Sequence, residues 1–430
     1  LNGHMSIALR PPRGTRDWMP EEAWFKRLVE DRIRRVFESY GYGEVITPAF
    51  EHLELLVAKA GEEVVNQIYN FKDKAGRDLG LRFELTTPIA RIVSSRPELS
   101  KPIRFYYIAP VWRYEEPQRA RLREFWQAGI ELIGVEGVEG DAEVIAVLHD
   151  SLRSAGLKDF RILVNDRRVV EDILVSAGIG RERIESALRA LDKLERMGEE
   201  FVVGELCKLG LSESRARRVI DRLTEGFRGF SPSTREGETG ARRLLELLGI
   251  LEEGYGIRVD VDLSIVRGLG YYTSIVFEAK CANANIGSIA GGGRYDDLVS
   301  GLGGPQLPAT GMAIGVERLL EALSAQGEMP RCRPAEVVVI PIGAERRVLT
   351  AALKVAQGLR SNGLRVIVEY SRRSLSKTLE RLSKAGVRFA LILGPSELDQ
   401  GLVTVRDMEA WEEFKVRVEE VVTLIKPRLS

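Results

Sequence analysis

The 430-residue chain reads as an α+β protein in three parts: a core on a mostly antiparallel sheet, a helical insertion inside that core, and a C-terminal α/β domain. Three observations predict this. Two β-rich stretches flank residues 167–250, which are rich in Leu, Arg and Glu and carry helical periodicity without strand runs. Beyond a linker-like segment from Ala325 to Pro334, strand and helix patterns alternate, as βαβ units do. The length also exceeds what one ordinary core organises. The expected boundaries are 6–166 with 251–326 for the core, 167–250 for the insertion and 335–430 for the C-terminal domain. Residues 1–5, Leu1 to His4 before Met5, read as a cloning remnant.

Residues 20–40 should form an amphipathic helix. Pro20 suits the first helical position, Glu21 and Glu22 suit the first turn, and Phe25, Leu28, Val29, Ile33, Val36, Phe37 and Tyr40 recur at helical spacing. Gly41 and Gly43 stop it, and Val45 to Thr47 starts a strand. Most of 81–150 reads as strand, apart from a Pro/Arg-rich loop at 115–123 and a helix near 141–155. Ile162 to Val164 is one more short strand. Within the insertion, Ile184 to Met197 and Ser212 to Leu223 are the clearest helical runs. Strand patterns return at Ile257 to Leu263 and Tyr271 to Ala279, pass through Gly291-Gly292-Gly293 and reach a helix starting near Gly315. In the last domain, Glu336 to Ile342, Leu364 to Glu369, Phe389 to Leu393 and Leu402 to Val405 read as strands of a mostly parallel sheet. Residues 345–361, 374–385 and 411–425 read as its helices.

Composition removes several function classes. Lys plus Arg and Asp plus Glu are both 63, so bulk charge advertises no nucleic-acid partner and any such site must be a local basic face. Cys207, Cys281 and Cys332 lie far apart, without the spacing of a disulfide framework or a structural zinc. His4, His52 and His149 are the only histidines, which argues against a His general base and leaves Arg, Glu and backbone groups to carry chemistry. No apolar run approaches the roughly 20 residues of a membrane span, and no signal-peptide pattern is present; the expected location is the cytoplasm.

The most informative segment runs from Phe105 to Ile133. Tyr106 to Trp112 can form a strand, Arg113, Glu115, Arg119, Arg121 and Arg123 crowd a Pro-containing loop, and Phe125 to Leu132 returns as a second strand. Guanidinium groups at a strand end suit a triphosphate, because they offer fixed, bidentate donors to phosphate oxygens. Phe125 could stack on an adenine. Gln127, Gly129 and Glu131 share one side of the returning strand by period-two alternation. The competing reading is a solvated hairpin with surface ion pairs worth little. A second segment, GMAIGVERL from Gly311 to Leu319, runs a small-residue strand into a helix with Arg318 in its first turns. Its glycines would let backbone approach a ligand; taken alone, a plain strand–helix turn with a surface arginine is the better fit.

Taken together, these segments resemble the three signature motifs of class II aminoacyl-tRNA synthetases. VWRYEE…REF around Arg113 resembles motif 2, GMAIGVERL resembles motif 3, and the helix ending at Tyr40 with GYGEVITP resembles motif 1, the dimer-forming segment. IVRGLGYYT (Ile265 to Thr273) and IAGGGRYD (Ile289 to Asp296) resemble the two histidine-specific motifs of the histidyl-tRNA synthetase family, and Arg13 to Asp17 resembles its opening. The likeness extends from about residue 10 to the C-terminus. Gly270 stands where that family usually has Asp, and Trp126 where His is common.

The resemblance implies histidine activation with ATP, aided by Mg2+ at the β- and γ-phosphates, and transfer to tRNA(His) by a homodimer. It implies Arg113 and Arg318 on the ATP phosphates, Glu115 and Phe125 around adenine, and Arg121 at the pyrophosphate end. Glu84, Thr86 and Gln127 would hold the α-amino group of L-histidine, with Glu131 and Tyr272 on its imidazole and Tyr271 beside them. Arg267 would bind the substrate carboxylate and α-phosphate and, with Arg113, form the catalytic pair. The last domain resembles the anticodon-binding domain of several class II synthetases, where Arg372, Arg373 and Lys377 could meet phosphates. In the insertion, Arg215, Arg218 and Arg222 share a helical face that could reach the acceptor stem, or simply be solvated. The alternative from another function class is a non-catalytic, histidine- or tRNA-binding paralogue. RGLGYYT and AGGGRYD argue against prolyl, threonyl and glycyl synthetases.

Overall fold

The computed structural model describes residues 9–58, 65–118, 120–267, 270–281, 286–327, 329, 335–371 and 373–428. The supposed remnant at 1–5, Arg119, Arg372 and most of the expected linker lie outside them. The chain divides into two compact units, Leu1–Trp18 with Lys26–Met329, and Met19–Phe25 with Pro330–Ser430.

In the first unit an eight-stranded sheet carries strands β1 (Gly43–Glu44), β5 (Ile103–Trp112), β6 (Glu124–Ile133), β7 (Arg161–Asp166), β8 (Asp260–Val261), β9 (Ile275–Lys280), β10 (Ser288–Arg294) and β11 (Ala309–Gly315), in the order β1-β5-β6-β11-β10-β9-β7-β8. The inner pairs are antiparallel, and only the edge pairs β1–β5 and β7–β8 are parallel. A small sheet of β2 (Phe50–His52), β3 (Asn70–Lys72) and β4 (Asp78–Leu81) lies beside it in sequence. Register decides what meets what. Gln127 pairs with Gly315 and Glu131 with Gly311, while Gly293 pairs with that same Gly311 and Gly291 with Glu278. Segments from four parts of the sequence are thus next-door neighbours on one sheet.

The helix Pro20–Ser39 buries Phe25, Val29, Ile33 and Phe37, every third or fourth residue, as its periodicity predicts. Thr86–Ser95, read above as strand, is a helix. The Glu84 carboxylate accepts the backbone N–H groups of Thr86 at 2.5 Å and Thr87 at 2.9 Å, satisfying two orphan donors of the first turn. That cap, with Ile89, Ala90 and Val93 packed inside, outweighs the strand preference of the β-branched residues. Val45 to Thr47 is not strand; the edge pairing ends at Glu44. The helix expected from 141 begins at Val138, and the strand runs expected at 257–263 and 271–279 shrink to Asp260–Val261 and Ile275–Lys280.

Between β7 and β8 the chain is helical: Arg167–Ala177, Ile184–Leu191, Glu199–Lys208, Glu213–Glu225 and Arg235–Tyr255 are its main helices. They enclose a core of their own around Val169, Leu174, Leu188, Val202, Leu206 and Val219. Leu263 and Val266 also enter that core, whereas Ile265 between them packs into the core beneath the large sheet. The stretch Leu263 to Val266 before Arg267 is therefore a seam between two cores.

In the second unit β12 (Val337–Pro341), β13 (Val366–Val368), β14 (Phe389–Leu393), β15 (Leu402–Asp407) and β16 (Glu412–Arg417) run in the order β13-β12-β14-β15-β16. Strand β12 is parallel to β13 and β14, but β14–β15 and β15–β16 are antiparallel, so the sheet is mixed. The helix expected at 411–425 begins instead as strand β16, over Glu412–Arg417; a 3-10 turn at Val418–Glu420 and the short α-helix Val421–Ile425 follow it. Phe414, Val416 and Val418 alternate with charges and pack on the domain core, a period of two that the charge density obscures.

Candidate active site

Strands β5 and β6 carry the arginine loop between Trp112 and Glu124. A cleft of about 190 Å³ opens beside it, and its lining gathers Arg113, Glu115, Arg121, Phe125, Gln127, Arg267, Arg318 and Glu317. The structure therefore brings seven of the sequence-expected residues to one cleft, from three segments of chain: the hairpin 113–127, Arg267 and Arg318.

The arginines are held individually. Arg113 donates from Nε to the carbonyl of Phe83 at 2.9 Å and stands 5.2 Å from the centre of the Phe125 ring. Arg318 donates to the carbonyl of Ser288 at 2.6 Å. Arg267 donates to Oε1 of Glu278 at 2.9 Å. Arg121 pairs with Glu115, so these two, expected at opposite ends of a nucleotide, hold each other in this structure. Burial lowers the pKa of Arg113, and Arg267 lowers it further against the pull of Glu115 and Glu84. Burial likewise lowers Arg318, with Arg121 and Arg113 adding to the effect. Guanidinium groups that destabilise one another in a partly desolvated cleft make a site suited to an anion.

Glu131 lies on the same face of β6 as Phe125 and Gln127 but deeper, 1% exposed. Its Oε1 accepts the hydroxyls of Thr86 at 2.7 Å and Tyr107 at 3.2 Å, and its Oε2 accepts that of Tyr295. Burial pushes its pKa up to about 8; the three hydroxyls oppose this and neighbouring Glu84 adds to it. A carboxyl near neutrality in a cage of hydroxyls can give or take one proton. Tyr272 is buried next to Tyr271, their ring centres 4.9 Å apart, and Tyr271 reaches Tyr295 at 5.9 Å. Gln127 Oε1 is buried and has no hydrogen-bond partner among the described residues, an acceptor suited to an ammonium donor.

The glycine strand makes this arrangement possible. A Cβ on Gly291 would overlap the guanidinium of Arg267, one on Gly311 would overlap the Glu131 carboxylate, and one on Gly293 would come within 2.9 Å of the Tyr272 ring. Arg267 itself has φ +57°, an uncommon backbone for a non-glycine residue. Five residues that line or brace the site went unassigned in the sequence. Tyr295 stands inside the quoted GGGRYD, Tyr107 faces Gly129 across the hairpin, and Glu278 is the one charge in the apolar run SIVFEA. Ser288, at the start of the glycine strand, gave no such signal. Glu317 precedes Arg318, accepts the backbone N–H of Trp126 at 2.9 Å, and is pushed by burial to a pKa of about 7 despite that hydrogen bond. Trp126 stacks under the ammonium of Lys26, 3.4 Å from the ring centre.

Away from the cleft, Arg215, Arg218 and Arg222 line a separate recess with Asp172, Ser176 and Phe230. Arg373 and Lys377 are exposed at the start of the helix Leu375–Lys384 in the second unit.

An antiparallel sheet with an arginine hairpin, a glycine strand and a strand–helix arginine around one cleft is the catalytic core of a class II aminoacyl-tRNA synthetase. Residues 14–319 match the family model described as histidyl-tRNA synthetase, and 336–428 match the anticodon binding domain. The chain is 42% identical to the histidine–tRNA ligase of Thermococcus kodakarensis over 95% of its own length and 96% of that protein. It is 43% identical to that of Pyrococcus abyssi over 97% and 99%. A crystal structure of histidyl-tRNA synthetase from Nostoc sp. superposes with a TM-score of 0.81 at 29% identity, covering 98% of this chain and all of that one. The chain belongs to the histidyl-tRNA synthetase family.

Proposed function

We propose that this chain activates L-histidine with ATP to histidyl-adenylate and transfers the histidyl group to the 3′ end of tRNA(His), as a class II histidine–tRNA ligase. The observation that carries this is the convergence of Arg113, Arg121, Arg267 and Arg318 on one cleft, with the hydroxyl-caged Glu131 on the same strand face.

In the first step a carboxylate oxygen of histidine attacks the α-phosphorus and pyrophosphate leaves. Both reactants are anionic, so cations that hold them in line supply most of the acceleration. Arg113 and Arg267 meet the α-phosphate and substrate carboxylate. Arg318 and Arg121 take the departing phosphates once Arg121 lets go of Glu115. Phe125 and Glu115 flank the adenine. Mg2+ bound with ATP would offset the charge on the phosphates that Arg318 and Arg121 face. Gln127 Oε1, Glu84 and Thr86 receive the α-ammonium. Glu84 already accepts two backbone N–H groups, and each of its oxygens keeps a further lone pair. Glu131 and Tyr272 read the two imidazole nitrogens, with Tyr271 packed behind. A polar site of this kind rejects isosteres that leave its groups unpaired.

In this reading, 6–166 with 251–326 is the catalytic domain, 167–250 a helical insertion whose Arg215, Arg218 and Arg222 face the acceptor stem, and 335–430 the anticodon-binding domain. The enzyme works in the cytoplasm as a homodimer; among the described residues no helix is long and apolar enough to cross a membrane. Ile46, 87% exposed beside the edge strand β1, lies in the motif 1 region that this reading places at the dimer face. The full arginine set and the anticodon-domain match favour the ligase over the regulatory paralogue.

Histidine-dependent ATP–pyrophosphate exchange, run across all twenty amino acids, tests the proposal. Exchange is expected with histidine alone, and Arg267→Ala is expected to lose at least about 100-fold of it while keeping the wild-type unfolding profile. Exchange driven by another amino acid, or histidine binding without exchange, would reject the reading.

A further inference from the structure

We infer that Glu278, braced by Ser288, is a positioning residue for adenylate formation: it fixes the Arg267 guanidinium at the edge of the cleft. This rests on the function proposed above and deepens it.

Three features of the structure converge on Arg267. Its backbone has φ +57°, and the residues before it are locked: Val266 is buried in the insertion core, and the fully buried Asn165 side chain donates to the carbonyls of Leu263 at 3.2 Å and Ile265 at 2.8 Å. Its side chain lies over Gly291, in space that only glycine leaves open. Its guanidinium donates to Glu278 at 2.9 Å, from the strand position directly across from Gly291.

Glu278 is itself tied down. Its other oxygen accepts the hydroxyl of Ser288, whose backbone carbonyl accepts Arg318 at 2.6 Å. A continuous chain of hydrogen bonds thus runs Arg318–Ser288–Glu278–Arg267 and sets the separation of two cleft arginines through one carboxylate and one serine. The need for it is electrostatic. Arg113 and Arg267 share the cleft wall and repel, so Arg267 without a counter-charge behind it would swing away until a substrate anion drew it in again. Glu278 keeps the guanidinium in place before substrate arrives, which lowers the reorganisation required at the moment of attack. Burial opposes the charge on Glu278, but Arg267, Ser288 and Lys280 together hold its carboxyl below the usual range, so it is an anion throughout the neutral pH range.

The test uses the full chain with Glu278→Ala, Glu278→Gln and Ser288→Ala. Histidine-dependent exchange is measured per active site, counted by the burst of histidyl-adenylate. Glu278→Ala should lower kcat roughly 10- to 100-fold while KM for ATP and for histidine each move less than about 3-fold. Glu278→Gln keeps an oxygen acceptor for Arg267 but no counter-charge and should recover only part of that loss, and Ser288→Ala should fall between wild type and Glu278→Ala. A Glu278→Ala enzyme with at least half the wild-type rate per active site overturns the inference. So does a loss confined to KM, or a Glu278→Gln enzyme with the wild-type rate, which would show that no counter-charge is needed behind Arg267. A wild-type protein without histidine-dependent exchange would instead remove the functional reading beneath it.

Discussion

Glu131 concentrates the residue-scale argument. Its carboxyl, at about 8, is protonated at neutral pH before histidine binds, whereas a free imidazole titrates near 6.5. A bound pair of the two shares one proton. Between those values the free partners carry one proton between them, so binding is proton-neutral. Below about 6.5 the imidazole brings a second proton that must leave, and above about 8 the pair must capture one. Histidine affinity should therefore peak between about pH 6.5 and 8 and fall on both sides. Calorimetric titrations from pH 5.5 to 9 check this, and Glu131→Gln should remove the alkaline limb. An affinity flat across that range would separate Glu131 from the imidazole. The same shift has a stability sign. The folded pKa lies above the ordinary carboxyl value, so the unfolded chain releases its proton first and the free protein loses stability as pH rises from about 4.5 to about 8. Period-two alternation placed Glu131 on the face of Phe125 and Gln127. Its hydroxyl cage could not be read, because Thr86, Tyr107 and Tyr295 come from three other segments.

At the scale of the element, the run Gly291-Gly292-Gly293 shows how differently neighbouring glycines can act. At Gly291 the obstacle to a Cβ is the far end of an arginine, which can move; at Gly292 it is the backbone carbonyl of Gly311, which cannot. Gly291→Ala should keep the fold and lose most histidine-dependent exchange, because Arg267 is displaced. Gly292→Ala should cost about 1–3 kcal/mol of stability, by overpacking between strands. Chemical unfolding and exchange on both variants check the contrast, and equal stability losses would remove it. Two misread elements share a cause. Thr86–Ser95 is rich in β-branched residues but is capped by Glu84, while Glu412–Arg417 is dense in charges yet pairs along its whole length with β15. Local propensity lost in each to a partner beyond the element itself.

At the scale of the whole molecule, the proposed function asks a chain with no net charge to hold a polyanion. If the motif 1 region forms the two-fold contact, Ile46→Asp places a charge on each side of the axis and should shift the protein toward monomer at micromolar concentration, read by sedimentation velocity. An unchanged dimer would put the interface elsewhere. For tRNA, replacing Arg373 and Lys377 with Ala should leave pyrophosphate exchange intact and raise KM for tRNA. The salt dependence of tRNA binding should flatten by about one log unit for each phosphate that the variant no longer neutralises. Unaltered tRNA affinity and salt slope would mark both as ordinary solvated cations.

From its own residues the chain declares a fold class, a family, and candidate arginines, carboxylates and tyrosines for its site. Those signals are local: periodicity within an element, glycine runs, short motifs in a fixed order. Tertiary structure alone decides that Glu131 is neutral and caged, that Arg121 rests on Glu115, and that Glu278 stands behind Arg267. The cage of Glu131 and the place of Glu278 across from Gly291 depend on strand register across a sheet whose neighbours lie up to 188 residues apart in the chain, as with Gly315 and Gln127, while Arg121 meets Glu115 through the path of their shared loop. Burial and charge separation are properties of that packed neighbourhood, and no single segment carries them.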